Sequence, residues 1–563
     1  MRGTIVFLMV MAAVTASKMD AAGRRQARSM VISERGIVAT SQTLASQAGA
    51  QILARGGSAV DAAIAANATL GVVEPMMNGM GGDLFAIRRD AATGKVAGIN
   101  ASGWAPRALT RELMIGKGYS TMPEDGILSP TVPGCVAGWQ ALHRKYGRLA
   151  WADLFQPAIY YAEHGFPVTE WIHGYWSGAA TKLGKAKEAS RIFLPGGRTP
   201  EVGEVFRNPE LAKALRLVAW RGADAFYRGE IADAIVATSQ RLGGVFAPED
   251  LAEYEPEWVE PIRTGYRGWK VYELPPNGQG MAALEMLNLM ERFELGRYDA
   301  ASPEALHREI EAQKLAYQDL NRYLGDPKFS RIPFPELISK PYAERRAGLI
   351  DLEKANCDVA PGNPLASSGD TIYLSVIDRD GNIVSLIQSL YLSFGSGVVV
   401  EGYGFHLQNR GSLFSLEEGS PNVLEPRKRP FHTIIPGLME KGDVAIGFGI
   451  MGGLNQAQAH AQFVSNLVDH GMNIQLALEA PRFTKLDFGG CDVQVERRVP
   501  AATIERLRKL GHRVKVLDDF ASPMGGGQAV LFNRKTGVKF GASSPRKDGA
   551  AVPEPDDYFG SGR

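Results

Sequence analysis

The sequence predicts a layered α/β or α+β fold. From about residue 105 to 350 the chain is dominated by helical patterns, whereas short strand patterns dominate after about residue 370. Runs of helices followed by runs of strands are typical of layered bodies. A length of 563 residues corresponds to roughly three or four average domains, although layered enzymes of this size also form single units. With 45% hydrophobic and 22% charged residues, the chain can bury a sizeable core.

The N-terminus has the layout of a secretory signal peptide. Arg2 precedes an apolar run from Thr4 to Ala16 that ends in small residues, and this run is too short to span a bilayer comfortably. We therefore predict that residues 1–16 are a signal peptide and that the protein is exported to the periplasm or the extracellular space. A misassigned start codon is the alternative. No other segment approaches the ~20 apolar residues of a membrane helix, so no membrane span is expected in the mature protein.

Two helices open the folded part. Leu44, Ala48 and Ile52 are spaced by four, and Gly56-Gly57 follows as a stop signal. Ser58 can cap the next helix, whose many alanines allow close packing. The stretch NGMGGDLFAI (78–87) then reads as a structural glycine-rich turn that enters a strand. It is not a phosphate loop, because no Gly-Lys-Ser/Thr follows.

A clear amphipathic helix from about Ala305 to Arg322 ends the helical middle. Residues 353–369 are rich in proline, glycine and small polar residues, which predicts a loop or linker. The remainder is expected to hold a helix at 456–469 and strands at 371–377, 383–389, 396–400, 444–449 and 528–533.

Charge and cysteine content exclude several classes of function. The net charge is 62 − 61 = +1, and no basic block is longer than Arg427-Lys428-Arg429, so nucleic-acid binding has no electrostatic basis. Cys135, Cys357 and Cys491 are widely spaced and form neither a disulfide framework nor a metal motif. We interpret them as buried or inert thiols, and we expect no metal and no organic cofactor.

Common catalytic motifs are missing. The sequence contains no His-Glu-x-x-His and no Gly-x-Ser-x-Gly, and its nine histidines include no pair at i, i+4. A hydroxyl nucleophile needs a base, but a threonine at a chain N-terminus carries its own in the α-amine. That amine has a pKa near ~8, so part of it is neutral at physiological pH.

Thr371 could acquire such an amine if the Asp370–Thr371 bond were cut. A loop precedes this bond and a strand follows it. The Asp-Gly turn at 378–382 would fold the second strand back and bring Ser389 beside Thr371, because seven residues on each side face one another. From the pattern alone, an ordinary threonine at a strand start remains the alternative.

Ordered sequence blocks resolve that choice. After about residue 35, nearly the whole chain resembles the γ-glutamyltranspeptidase family of N-terminal nucleophile hydrolases. The blocks that carry the resemblance include GIVATSQTLASQAGAQILARGGSAVDAAIAANATLGVVEP (36–75), TVPGCVAGW (131–139), DTIYLSVIDRDGNIVSLIQS (370–389), FGSGVVV (394–400), KRPFHTIIPG (428–437) and GIMGG (449–453).

The resemblance implies a precursor that cuts itself between Asp370 and Thr371. The products would be a large chain, 17–370, and a small catalytic chain, 371–563, of 563 − 370 = 193 residues. They would remain together as a heterodimer within one four-layer αββα sandwich. The Thr371 hydroxyl would form an acyl-enzyme with a small-molecule amide or peptide, supported by Ser389. Gly452 and Gly453 would supply the amides of an oxyanion hole.

The substrate pocket departs from the family pattern. Glutathione-active members hold the γ-glutamyl α-carboxylate with an arginine where this chain has Ser102. They hold the α-amino group with an aspartate where it has Leu413. Because charge-assisted hydrogen bonds contribute about 1.5–3 kcal/mol each, losing both would weaken glutathione binding strongly. Arg410 lies in the same loop as Leu413. It can replace the missing arginine contact to the α-carboxylate, since its planar guanidinium suits a carboxylate. A solvent-facing surface arginine is the alternative.

Three further pocket positions also differ. Tyr391 stands where the family has an asparagine, and His432-Thr433 stands near the usual serine pair. We predict that these residues line the substrate site with Arg410, and that His432 bonds the acyl group. A purely structural histidine is the alternative.

Three hypotheses follow. The first is a self-processing threonine amidohydrolase or acyltransferase that takes a γ-glutamyl group, for example from glutathione. The second keeps the mechanism but acts on another small acid amide, such as an oxamate-like compound. The third is a catalytically silent binding protein with the same fold.

Overall fold

The computed structural model describes residues 26–358 and 370–560. The predicted signal peptide, 1–16, lies outside the described residues, as does most of the predicted loop at 353–369. The described part of that loop, 353–358, contains no helix or strand.

The strands are mostly short; nine of the nineteen that the described residues form lie before residue 274, and ten lie after residue 369. They are β1 (Val31–Ser33), β2 (Ile37–Thr40), β3 (Asp83–Arg89), β4 (Val96–Ala101), β5 (Phe166–Pro167), β6 (Val205–Phe206), β7 (Glu257–Val259), β8 (Ile262–Tyr266), β9 (Trp269–Glu273), β10 (Asp370–Ile377), β11 (Ile383–Tyr391), β12 (Gly437–Lys441), β13 (Val444–Ile450), β14 (Phe483–Thr484), β15 (Asp492–Glu496), β16 (Arg513–Leu517), β17 (Gly527–Asn533), β18 (Lys539–Ser543) and β19 (Ala550–Pro553).

The helices fill most of the region between β4 and β10. They are α1 (Thr43–Ala54), α2 (Ala59–Val73), α3 (Arg111–Gly116), α4 (Cys135–Tyr146), α5 (Gln156–His164), α6 (Glu170–Gly178), α7 (Ala180–Gly184), α8 (Lys187–Phe193), α9 (Pro209–Arg221), α10 (Asp224–Tyr227), α11 (Glu230–Arg241), α12 (Pro248–Ala252), α13 (Gly280–Met290), α14 (Pro303–Tyr323), α15 (Phe334–Leu337), α16 (Lys340–Ala347), α17 (Asn455–Val468), α18 (Ile474–Glu479), α19 (Ala501–Lys509) and α20 (Asp557–Gly560).

Two large antiparallel sheets form the centre of the molecule. Sheet I has the strand order β19-β2-β10-β11-β3-β4-β7, and sheet II has the order β1-β18-β17-β13-β12-β9-β8. The two sheets pack face to face through β10, β11, β13 and β17, while α1 and α2 cover sheet I and α13, α17 and α18 cover sheet II. The predicted layered fold class is therefore confirmed.

Each layer boundary is an apolar core. On β10, the side chains of Ile372, Leu374 and Val376 pack with the helices above sheet I. Tyr373 and Ile377 pack between the two sheets. This alternation follows from the two-residue period of a strand, and it also decides which way the neighbouring polar residues of β10 point.

Several local predictions hold. Ser58 caps α2 in a capping box with Asp61, and α14 spans the predicted amphipathic segment. The predicted strand at 396–400 is wrong. Phe394, Gly395 and Gly397 adopt positive φ angles of 55°, 55° and 72°, so the chain turns there, and only an isolated bridge joins Val399 to His406.

The interpretation of the cysteines needs correction. Cys135 is a buried free thiol, as expected, but Cys357 and Cys491 form a disulfide with a Cα–Cα distance of 4.9 Å. No local sequence pattern indicates this pair, because 134 residues separate its members. Only the packing of 351–357 against the α19–β16 region brings them together.

Within residues 26–358 and 370–560, none of the helices combines the length and apolar character needed to cross a lipid bilayer.

Candidate active site

Thr371 lies at the beginning of β10, directly after Asp370, and is 1% exposed. Thr371 is two residues before Tyr373, so it lies on the same face of β10, and Tyr373 packs between the sheets. Strand alternation therefore turns the Thr371 hydroxyl toward sheet II rather than toward the covering helices. A buried hydroxyl at this position needs a partner inside the protein.

Ser389 provides that partner. The hairpin register runs from Ile377 opposite Ile383 to Ile372 opposite Gln388, with an irregularity before Ile372. The Thr371 Oγ1 and Ser389 Oγ atoms are 3.2 Å apart, and the Tyr391 amide donates to Ser389 Oγ at 2.7 Å. The structure thus brings together the two hydroxyls that the sequence pairs.

The glycine-rich turn at 78–82 supports the back of this hairpin. The Gln388 side chain donates to the Gly79 carbonyl at 2.7 Å and accepts from the Gly79 amide at 3.0 Å. A Cβ atom at Gly82 would collide with the Ser389 carbonyl. Only glycine permits this close approach, so the turn fixes the backbone on which Ser389 sits.

Gly452 and Gly453 follow β13, the strand of sheet II that faces the hairpin. Tyr373 leaves no room for a side chain at Gly449, and Ser375 leaves little at Gly447. Gly447 thus lies opposite Ser375 and Gly449 opposite Tyr373, so moving two residues toward the end of β13 corresponds to moving two residues toward the start of β10. Two residues further along the chain, the same relation places Met451, directly before Gly452, opposite Thr371.

The two glycines are conformationally suited to present amides. Gly452 and Gly453 have φ angles of 121° and 59°, which L side chains rarely adopt. Among the described residues, neither amide donates a hydrogen bond, whereas the Gly453 carbonyl accepts from Gln279 at 2.8 Å. Unused, fixed N–H groups are what an oxyanion hole requires.

A buried polar cluster, comprising Asp83, Arg410, His432 and Thr433, lies beside the hydroxyl pair. Asp83 is the register partner of Ser389 across β3 and β11. Its Oδ2 accepts from His432 Nε2 at 3.0 Å and lies 3.6 Å from Arg410 Nε. Arg410 Nη1 donates to Thr433 Oγ1 at 2.8 Å. The cluster therefore contains one carboxylate and one guanidinium, both fully buried.

Burial decides the protonation of this cluster. It lowers the pKa of His432 to about 4, an effect reinforced by the Arg410 charge and opposed by Asp83. The ring is thus neutral near pH 7, and Nε2 carries the proton that Asp83 accepts. Burial also lowers the pKa of Arg410 to about 10, with Asp83 opposing the shift, so the guanidinium stays charged at neutral pH.

Tyr391 connects the cluster to the hydroxyl pair. The Arg410 guanidinium lies 4.5 Å from the centre of the Tyr391 ring, a cation–π contact, and the Tyr391 amide bonds Ser389. Arg410 is therefore not a surface arginine. Among the described residues, its buried Nη2 atom has no hydrogen-bond acceptor, so it retains a donor for an anion.

The two positions that lack the family's charges are both buried. Ser102 donates to Asn100 Oδ1 at 2.7 Å. Its hydroxyl is neutral and therefore does not replace the positive charge of the family's arginine. Leu413 is 2% exposed and lines a cavity whose other walls are apolar or neutral polar side chains, among them Phe431, Phe488 and Asn422. Neither side chain supplies a charge that could pair with a charged group of a ligand.

Asp83 is the site residue that the sequence analysis missed, because NGMGGDLFAI was interpreted only as a structural turn. One signal could have found it. Asp83 is the single charge in an otherwise apolar and glycine-rich stretch, and a buried charge needs a partner.

A family model and two curated relatives each match most of this chain. A family model described as gamma-glutamyltranspeptidase matches residues 45–554. The glutathione hydrolase-like YwrD proenzyme of Bacillus subtilis is 39% identical over 93% of this chain and 99% of its own. The oxamate amidohydrolase proenzyme of Klebsiella pneumoniae is 34% identical over 92% of this chain and 99% of its own.

A solved structure agrees with the sequence relatives. The crystal structure of cephalosporin acylase from Bacillus halodurans superimposes with a TM-score of 0.88 and 43% identity. The match covers 94% of this chain and 97% of that one. All three relatives match nearly the whole chain, but their names point to three different substrates.

Proposed function

The chain belongs to the gamma-glutamyltranspeptidase family of N-terminal nucleophile hydrolases, and we propose that it cuts its own Asp370–Thr371 bond and then hydrolyses or transfers acyl groups through Thr371. The observation that carries this proposal is the buried contact of 3.2 Å between Thr371 Oγ1 and Ser389 Oγ. In the uncut chain the Thr371 nitrogen is an amide. Cleavage converts it into the base that the nucleophile needs.

Self-cleavage would use the same hydroxyl. Thr371 Oγ1 attacks the Asp370 carbonyl carbon, the C–N bond breaks, and an ester replaces the peptide bond. Water then hydrolyses the ester, which yields the Asp370 carboxylate, the free Thr371 hydroxyl and the Thr371 amine. The hydroxyl proton passes to the departing nitrogen, and Ser389 supports both steps by hydrogen-bonding Thr371 Oγ1, which attacks in the first step and leaves in the second.

Turnover would repeat this chemistry on a substrate. The neutral Thr371 amine takes the hydroxyl proton as Oγ1 attacks the amide carbonyl, and the Gly452 and Gly453 amides stabilise the oxyanion. Removing one such donor typically costs about 3–4 kcal/mol of transition-state stabilisation. The amine then gives its proton to the leaving nitrogen. Water or an acceptor amine finally attacks the acyl-enzyme and regenerates the free threonine.

The Thr371→Ala variant tests the processing step. On a reducing denaturing gel we expect the wild-type protein to give one large fragment and one small fragment of 193 residues (563 − 370). The variant should give a single uncut band, because it lacks the attacking oxygen. If the variant were still cut at this bond, Thr371 would not be the nucleophile. An uncut wild-type chain would instead support the silent binding protein.

The polar cluster favours an acyl group that carries a carboxylate. Arg410 is buried beside Asp83, the register partner of Ser389, and its Nη2 atom has a free donor among the described residues. A γ-glutamyl group satisfies this requirement and remains the first candidate. Leu413 favours the second candidate, a small acid amide without an amino group, because the described residues that line its cavity are all uncharged and provide no counter-charge for an ammonium.

Three anilides separate these candidates. γ-Glutamyl-4-nitroanilide and glutaryl-4-nitroanilide differ only by the α-amino group, and pentanoyl-4-nitroanilide also lacks the carboxylate. A glutamyl enzyme should prefer the first compound. If Leu413 prevents recognition of the α-amino group, kcat/KM for the glutaryl compound should equal or exceed that for the γ-glutamyl compound. Arg410 predicts a preference of about 10- to 150-fold for the glutaryl over the pentanoyl compound. Equal rates on these two compounds would exclude Arg410 as the carboxylate site.

Export is also part of the proposal. A disulfide such as Cys357–Cys491 persists in oxidising compartments and is rare in the cytosol of mesophiles. Together with the apolar N-terminal run of the sequence, this supports a periplasmic or extracellular location.

A further inference from the structure

We infer that the Cys357–Cys491 disulfide is a covalent bridge between the two chains of the processed protein. This inference rests on the proposed cleavage between Asp370 and Thr371. Cys357 precedes that bond by 370 − 357 = 13 residues, whereas Cys491 lies well inside the small chain. Cleavage therefore turns a bond within one chain into a bond between two.

The bridge lies on a seam where the two chains already meet. The Ala355 amide donates to the Leu510 carbonyl at 2.6 Å, two residues before Cys357. On the adjoining helix α14, His307 Nδ1 lies 2.8 Å from His512 Nε2. The disulfide thus fastens the segment of the large chain that ends at residue 358 to the start of β15 in the small chain.

The bridge is separate from the contacts that assemble the core. In sheet I, strands β10 and β11 of the small chain lie between strands β2 and β3 of the large chain, and these pairings do not involve either sulfur. The native assembly can therefore persist without the disulfide. The bridge has a visible effect only when the fold is lost, so a denaturing measurement is needed to detect it.

The two sulfurs differ in their surroundings. Cys357 is exposed, whereas Cys491 is fully buried, with its Sγ atom 3.5 Å from Lys314 Nζ. Lys314 also donates to Glu311 Oε1 at 2.6 Å. A cation beside a sulfur stabilises its thiolate, and a stabilised thiolate is the better leaving group in exchange.

This asymmetry sets the order of reduction by a small thiol. The incoming thiolate attacks the exposed Cys357 sulfur and forms a mixed disulfide, while the bond to Cys491 breaks and leaves a thiolate beside Lys314. A second thiol equivalent then attacks the mixed disulfide, which frees Cys357 and yields the oxidised dimer of the reagent. Two thiols are thus oxidised for one disulfide reduced.

A pair of denaturing gels tests the bridge. The purified full chain is oxidised with 2-hydroxyethyl disulfide, alkylated and run with and without reductant. We expect a single band of full mass without reductant and two fragments with it. The Cys357→Ser and Cys491→Ser variants should give two fragments in both gels, and the Cys135→Ser control should behave like the wild type. Two fragments from the oxidised wild type would overturn the inference.

Peptide mapping keeps this test independent of cleavage. If the wild type stays uncut, both gels show one band and the proposed function fails at its first step. A non-reducing tryptic digest still reports the bond, because a linked peptide containing Cys357 and Cys491 should be found by mass spectrometry. Its absence would exclude the disulfide whether or not the chain is cut.

Limited reduction tests the order of the sulfurs. After brief exposure to 2-mercaptoethanol and acid quenching, we expect the reagent on Cys357 and a free thiol on Cys491. The reverse distribution would contradict the role assigned to exposure and to Lys314.

Discussion

The hydroxyl pair of Thr371 and Ser389 lies on the inner face of one hairpin, separated by 3.2 Å. Both residues are buried, so neither hydroxyl can rely on bulk water for a hydrogen bond. In a nucleophile this is useful, because the attacking oxygen is held in one orientation and is kept apart from competing solvent.

Ser389→Ala should therefore lower both processing and turnover. We expect kcat to fall by about 10- to 150-fold, since a positioned hydrogen bond to the reacting group contributes about 1.5–3 kcal/mol. The comparison is made on processed protein, with a chromogenic anilide as substrate.

Ser385→Ala is the matched control for that substitution. Ser385 lies on the same strand and the same face, but its hydroxyl pairs with Tyr373 OH at 2.8 Å rather than with the nucleophile. It should leave kcat within about twofold. Equal losses in the two variants would show that Ser389 only supports the fold.

At the scale of elements, helix α14 carries an unusual carboxyl group. Glu309 is 4% exposed, and burial raises its pKa to about 8 despite a hydrogen bond from Ser465. The folded protein therefore holds a proton at neutral pH that the unfolded chain, with a pKa near ~4.3, has released. By linkage, stability is lost as pH rises from about 4.5 to 8.

Glu309→Gln should remove this pH dependence, because the amide stays neutral. One pH unit in this window corresponds to about 1.4 kcal/mol. The melting temperature of the variant relative to wild type should therefore rise between pH 6 and pH 8.

Glu304→Gln, an exposed site on the same helix, should show no such trend. If the difference between Glu309→Gln and wild type were independent of pH, Glu309 would be ionised in the folded protein.

At the scale of the whole molecule, both central sheets are composites of the two proposed chains. β10 lies between β2 and β11, and β13 lies in the same sheet as β8 and β9. Separating the chains would expose apolar faces on both sides of each sheet, together with unpaired strand edges.

The processed chains should consequently stay together without the disulfide. In native size-exclusion chromatography with a thiol reductant, we expect one peak that contains both fragments in equal amounts. Elution of the small fragment by itself would show that the strand pairings do not suffice to hold the two chains.

Sequence reasoning succeeded where the contacts are local. Residues 372–377 and 383–388 pair in the predicted register, because strand alternation and a five-residue turn fix it within one hairpin. It failed at 396–400, where β-branched valines suggested a strand but positive φ angles at Gly395 and Gly397 turn the chain.

The sequence by itself determined the family, the layered fold class and the position of the hairpin that pairs Thr371 with Ser389. Tertiary structure alone decided that Arg410 is buried against Asp83 and that Cys357 bonds Cys491. The physical reason is distance along the chain. His432 and Asp83 are 349 residues apart, and the two cysteines are 134 apart. No local pattern encodes such contacts, since they arise only when both sheets and their covering helices are packed together.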